Sequence, residues 1–193
     1  MEPQKITLID ALLPKIENKI LVFLKDIVLV LGFTLLTAIF AKVKVEVGPV
    51  PITGQTFIVL LAGVLLGSKR AAFSQIFYLL GGVLGIPWFA RGGGISYLTS
   101  PTFGYIIGFA AAAFFVGFLV ERGWGNRFEK AMGTMIIGNF LIYLPGLLWL
   151  SRFVGWEKVL SVGFYPFIVG DIIKSLLVVC MLLFGWRFVK IKK

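Results

Sequence analysis

The chain has 193 residues, 59% of them hydrophobic and 15% charged, with no histidine and a mean hydropathy of +0.97. That balance excludes an ordinary water-soluble domain and points to an integral membrane protein. The net charge of +10 does not imply nucleic acid, because the cations form neither an aromatic-interleaved patch nor a basic helix and cluster instead between apolar runs.

Residues 1–24 differ from the rest. Ile9, Leu12, Leu13, Ile16 and Ile20 recur at helical spacing while Lys15, Glu17 and Lys19 fall elsewhere, which predicts an amphipathic cytoplasmic or interfacial segment broken at Pro14. A solvated tail with an amphipathic end is the alternative. A cleaved signal peptide is not expected, since Glu2, Asp10, Glu17 and Asp26 precede the first apolar run and no small-x-small site follows it. Residues 25–193 form the transmembrane domain. Its apolar runs lie at 27–41, 57–66, 71–86, 103–120, 131–150 and 164–186, so an all-α fold with six spanning helices is expected.

In the first run, Thr34 with Ala38 and Thr37 with Ala41 make faces that allow close helix approach. The stretch "KVEVGPVPITGQT" that follows alternates Pro49 and Pro51 with Val50 and Ile52, which favours extended backbone. Gln55 opens the second run, which is short: 55–67 as a helix covers roughly 20 Å against a hydrocarbon core of about 30 Å. Something non-helical must complete that crossing. Gln75 and Tyr78 lie three apart in the third run; for Gln75 a helix-to-helix hydrogen bond is expected. Beyond it, "GIPWFARGGGISYLTSPTFG" combines Pro87, Gly92 to Gly94, Trp88, Phe89 and Tyr97. Both punctuated segments read as lids over a cavity open to the outside, because irregular backbone at membrane depth needs protein or a cavity around it. Tight interfacial turns anchored by Trp88 and Tyr97 are the alternative. Arg91, beside the glycines, suits a carboxylate partner, or else is a surface arginine.

Asn139 and Tyr143 lie four apart on the fifth span, one above the other. The last span, "FIVGDIIKSLLVVCMLLFGW", carries Asp171 and Lys174 one turn apart on a single face. The pair is either an internal ion pair used for packing or a recognition element. Because ionic groups inside a membrane are expensive, the second is the stronger reading. An acceptor beside a triple donor in a dry pocket suits a cyclic urea or amide. Cys180, the single cysteine, offers neither a disulfide nor a CxxC.

If six spans alternate, most cations fall on one side, against Lys42, Lys44, Arg91, Arg152 and Lys158 on the other, with Lys174 inside a span. Both termini are then cytoplasmic. No GxxxxGK[ST] loop, paired catalytic carboxylates or Ser, His and Asp set can be assembled, so the chain is not expected to be an enzyme or to hydrolyse ATP. A channel is not expected either, for want of a ring-forming polar stripe or filter-like loop.

Five stretches in order, "GPVPITGQTF", "LLAGVLLGSKRAAFSQIFYLLGGVLGIPWFA", "SPTFGYIIGF", "IGNFLIYLPGLLWL" and "GFYPFIVGDIIK", closely resemble the BioY family, the biotin-binding S components of energy-coupling factor (ECF) vitamin transporters. The resemblance runs from the first span to the last. It implies a six-helix S component in the cell membrane that captures biotin near the extracellular face. Its partners would be a transmembrane T component and two ABC-type ATPases, which hydrolyse the ATP; the chain itself needs no cofactor. Asp171, Lys174 and Asn139 are thereby assigned to the ureido ring, with Tyr143 beside them and Gln55 and Tyr78 completing the polar set. Arg91 is assigned to the carboxylate. Thr34, Ala38 and Ala41 are assigned to the small-residue face that meets the T component, with threonine where alanine is more usual. An S component for another vitamin would share the fold, and an integral membrane enzyme is the remoter alternative.

Overall fold

The computed structural model describes residues 7–191; the first six residues of the amphipathic segment, and Lys192 and Lys193, lie outside the described residues. A short helix, α1 (Leu8–Leu12), is capped by the Thr7 hydroxyl, which accepts from the Asp10 amide at 3.3 Å. Leu13, ahead of Pro14, is extended (ψ 152°) and ends it, as a residue before proline tends to. The amphipathic stripe is therefore not one helix. Ile20 already belongs to the long α2 (Lys19–Lys42), which starts at the Asn18 side chain, so the boundary expected at residue 24 falls inside α2.

The proline-rich stretch is extended as its sequence requires. It forms an antiparallel hairpin of β1 (Lys44–Val45) and β2 (Ile52–Thr53), pairing Lys44 with Thr53 and Val45 with Ile52. The chain then enters α3 (Gln55–Leu66) and, after Gly67 at φ +80°, α4 (Ser68–Val83). Glu121, at the end of α5 (Phe103–Glu121), caps α4 by accepting from the Ser68 amide (2.7 Å) and hydroxyl (2.9 Å). The remaining helices are α6 (Phe128–Val154), α7 (Trp156–Gly163) and α8 (Ile168–Ile191).

Among the described residues, four stretches are long and apolar enough to cross a membrane: α2, α5, α6 and Val159–Val189, which includes most of α8. The expected six is not reached by that measure, because α3 with 12 residues and α4 with 16 extend only about 18 and 24 Å. Non-helical chain does continue α3, on one side through the hairpin. At the other end α1 packs beneath α3 and α8, with Leu8 buried over Gly185.

α5 lies at the centre, against α3, α4 and α6. Its small residues let backbones meet: a Cβ added at Gly117 would sit 2.4 Å from the Ser68 nitrogen, and one at Gly108 2.7 Å from the Leu141 carbonyl oxygen. On α2, Thr34, Ala38 and Ala41 are 2%, 7% and 0% exposed. Their face turns into the bundle, where Thr34 donates to the Ser74 carbonyl on α4 at 2.8 Å. The face expected to meet a partner is therefore buried in this structure, with Thr34 bonded to α4. Gln75 donates to Thr37 at 3.2 Å, the helix-to-helix bond expected of it.

Candidate functional site

A cavity lies beneath the hairpin, between α3, α5, α6 and α8. Its polar wall is set by the start of α8. A one-turn 3-10 helix (Tyr165–Phe167) containing Pro166 turns the chain into α8, which places Asp171 in the first helical turn, where the helix dipole favours an anion. Lys174 follows one turn later. Asp171 Oδ1 accepts from Lys174 Nζ at 3.0 Å and from the Thr56 hydroxyl at 3.2 Å, while Oδ2 accepts from the Tyr143 hydroxyl. Lys174 Nζ also donates to the Thr53 carbonyl (2.8 Å) and to Thr56 Oγ1 (2.9 Å). All three ammonium donors are used, so the network closes on itself. A buried charge pair is tolerable only when its spare hydrogen-bonding capacity is met in this way.

Gln55 reaches the cavity from α3. Its amide accepts from Thr53 Oγ1 (3.0 Å) and donates to the Tyr78 hydroxyl (2.7 Å). Tyr78 itself is fully buried behind Gln55, stacked on Trp88, whose indole donates to the Tyr78 carbonyl at 2.8 Å. It orients Gln55 and does not line the cavity.

Asn139 lies one turn from Tyr143 on α6 but opens onto a different space, an apolar cleft of about 530 Å³ between α6, α7 and α8. It donates to Ser175 at 3.0 Å and its Oδ1 is buried without a partner. Tyr143 and Asp171 line both spaces and form the partition between them.

The cavity's outer wall is the glycine-rich loop. Gly92 (φ +128°) and Gly94 (φ +100°) occupy backbone conformations that side chains disfavour, and a Cβ at Gly93 would sit 2.2 Å from the Ile86 carbonyl oxygen. The resulting tight fold sets Phe89 against Tyr97, with ring centroids 4.5 Å apart, and Tyr97 faces the cavity. Lys42, at the end of α2, ties the loop down by donating to the carbonyls of Pro87 and Phe89, both at 2.7 Å.

Arg91 stands at the rim, in a recess that shares Tyr97 and Thr102 with the main cavity. It holds the hairpin: Nε (3.2 Å) and Nη2 donate to Glu46, Nη1 to the Pro49 carbonyl and Nη2 to the Gly48 carbonyl, both at 2.8 Å. Glu46 also pairs with Lys44 at 2.8 Å. The hydrogen bonds from Arg91 and then Lys44 hold its pKa at about 2, below the ordinary 4.5.

Asp171, Lys174, Tyr143 and Gln55 therefore converge on one cavity, while Asn139, Tyr78 and Arg91 stand at its borders. Sequence reasoning missed Thr53 and Thr56, which complete the Lys174 coordination. The only signal for them was their place flanking Gln55 at the mouth of a helix too short to span. Among the described residues no group of three or more His, Cys, Asp or Glu side chains could hold a metal ion. An apolar cavity with one carboxylate, one ammonium and a phenol on a single wall can bind a neutral ligand that carries N–H and C=O groups side by side.

Residues 11–191 match the family model described as the BioY family. The chain is 44% identical to the probable biotin transporter BioY of Pyrococcus horikoshii, over 78% of this chain and 90% of that protein. It is 39% identical to the biotin transporter BioY of Thermotoga maritima, over 74% of this chain and 84% of that one. In three dimensions it resembles the S-component for biotin from an ECF-type ABC transporter, with a TM-score of 0.74 at 24% identity, over 90% of this chain and 95% of the other.

Proposed function

The chain belongs to the BioY family, and from that premise we propose that it is the biotin-capturing S component of an ECF-type uptake transporter. The observation that carries this reading is the convergence of Asp171, Lys174 and Tyr143 on one wall of a cavity inside a membrane bundle. Asp171 accepts from a ureido N–H, Lys174 gives up one of its three bonds to donate to the ureido carbonyl, and Tyr143 orients the Asp171 carboxylate. Gln55, ordered by Tyr78, closes the polar edge. A contact of Asn139 with the ring requires the Tyr143–Asp171 partition to shift, and Arg91 receives the carboxylate at the rim.

In this reading α2, α3, α4, α5, α6 and α8 all cross the membrane, the hairpin completing α3 on the outer side and α1 lying at the inner interface. Both termini are cytoplasmic, since Lys25, Arg70, Arg122, Lys130 and Arg187 gather at that end. The chain resides in the cell membrane and delivers biotin with a T component and two ATPase subunits. Contact with the T component through Thr34, Ala38 and Ala41 requires α2 to part from α4.

Titration calorimetry on the detergent-purified protein tests the reading. Biotin and desthiobiotin, which keep the cyclic urea, bind, and riboflavin does not. A folded protein that binds no biotin would defeat it. Reconstituted alone in liposomes, the protein should not accumulate biotin, and accumulation would remove the need for partners.

A further inference from the structure

Arg91 is saturated. Its Nε and Nη2 form the edge of the guanidinium that matches a carboxylate two-on-one, and that edge is taken by Glu46; the Gly48 and Pro49 carbonyls accept from the terminal nitrogens. A ligand carboxylate cannot use the same edge while Glu46 is on it. Any flexible chain leaving the cavity past Tyr97 and Thr102 nevertheless arrives in the recess that Arg91 lines.

From this geometry we propose that Glu46 is a built-in rival of the ligand's carboxylate, so that capture proceeds by exchanging one carboxylate for another on Arg91. The proposal deepens the biotin reading given above and rests on it. Three features favour an exchange over a permanent tie. Glu46 keeps a second partner, Lys44 at 2.8 Å two residues back in the chain, so leaving Arg91 does not strand its charge. Both side chains of the Arg91–Glu46 pair are exposed, where such pairs are individually weak. The hairpin's own ladder has two residue pairs, too few for independent stability, so its outer end depends on the Arg91 bonds and can move when they exchange. Glu46 thus makes a ligand's carboxylate a condition for releasing the outer end of the hairpin, and sets how strongly the protein distinguishes an acid from its amide.

The test is a double-mutant cycle on full-length purified protein, with biotin and biotin amide as ligands. Glu46→Gln is expected to tighten biotin roughly threefold or more and to leave the amide unchanged, because only the acid competes for Arg91. Made in an Arg91→Gln background, the same substitution is expected to do nothing. Weaker biotin binding by Glu46→Gln would overturn the proposal, since Glu46 would then be orienting Arg91 for the ligand. Equal tightening of acid and amide, or tightening that persists without Arg91, would overturn it as well. If the wild-type protein bound riboflavin and no biotin, the reading of the cavity would fall first, and the exchange with it.

Discussion

The hairpin over the cavity is fastened at two places by the same chemistry, a cation against a carboxylate and backbone carbonyls. At the inner place Lys174 holds Thr53 and Asp171, with side chains 17% and 7% exposed. At the outer place Arg91 holds Glu46, Gly48 and Pro49, and the two charged side chains are 38% and 47% exposed. Depth alone separates them. Within the bundle, an unpaired charge has no water to fall back on, so the inner pair is effectively obligatory until a ligand substitutes for one member. At the rim, water and salt stand ready to replace either member, so the outer pair can exchange. In the proposed function the inner arrangement serves recognition and the outer one serves as a latch.

The sharpest way to break that contrast is Lys174→Met. It leaves Asp171 buried with only hydroxyl donors, which is expected to abolish measurable biotin binding and destabilise the protein by about 3–5 kcal/mol. Thermal unfolding followed by circular dichroism reads the loss. Adding Asp171→Leu should restore much of the melting temperature and none of the binding; restoration of binding would show that the pair only packs.

Asp171→Asn is gentler, because an amide keeps one acceptor and much of the shape. Insertion and folding should survive while biotin affinity falls at least about tenfold, or about 1.4 kcal/mol, in calorimetry. Unchanged affinity would sink the ureido assignment.

Third comes α1, a clasp of the outer kind placed at the other end of the molecule. Asp10 accepts from Lys25 (2.6 Å) and Arg70 (2.7 Å), and Arg70 also pairs with Asp26 at 2.9 Å. Partial burial pushes the Asp10 pKa up, but the bonds from Lys25, Thr7 and Arg70 outweigh it and bring the value to about 2, from an ordinary 3.8. A depressed folded-state pKa means that the stabilisation is fully present above pH 3.8 and is lost as pH falls toward 2. Asp10→Asn should therefore lower the melting temperature at neutral pH and lose that difference in strong acid. After solvent screening the effect is on the order of 1 kcal/mol or less. A constant difference at all pH values would mean that packing, not charge, is responsible.

The smallest effect is expected at the outer clasp itself: Glu46→Gln should leave the melting temperature within experimental scatter, even as it changes affinity. A large drop would make the Arg91 pair structural and erase the contrast with Lys174.

Much of the fold was legible because membrane segments announce themselves. Without water, long apolar runs must be helices, and α2, α5, α6 and α8 could be read directly. Local spacing likewise put Asp171 beside Lys174 and Tyr143 one turn from Asn139. The proline pattern foretold extended backbone, which the structure has at 52–53, after a bend at 48–50. The shortness of α3 was legible too, from the run at 55–67, whereas the third run, expected over 71–86, folds as the 16-residue α4 that ends at Val83.

What the sequence by itself determined was the set of elements and the pairs within one helix, because those depend on a period of 3.6 residues and on the chemistry of neighbours in the chain. Only the tertiary structure decided which long-range partners each side chain meets. It sent Asn139 toward a separate cleft while Tyr143, on the same face, turned to Asp171. It buried Thr34, Ala38 and Ala41 within the bundle, Thr34 against α4, since small residues welcome any close helix and do not name which. It gave Arg91 to Glu46, 45 positions away. Such choices depend on how helices of different lengths pack around α5, and no local pattern encodes that competition.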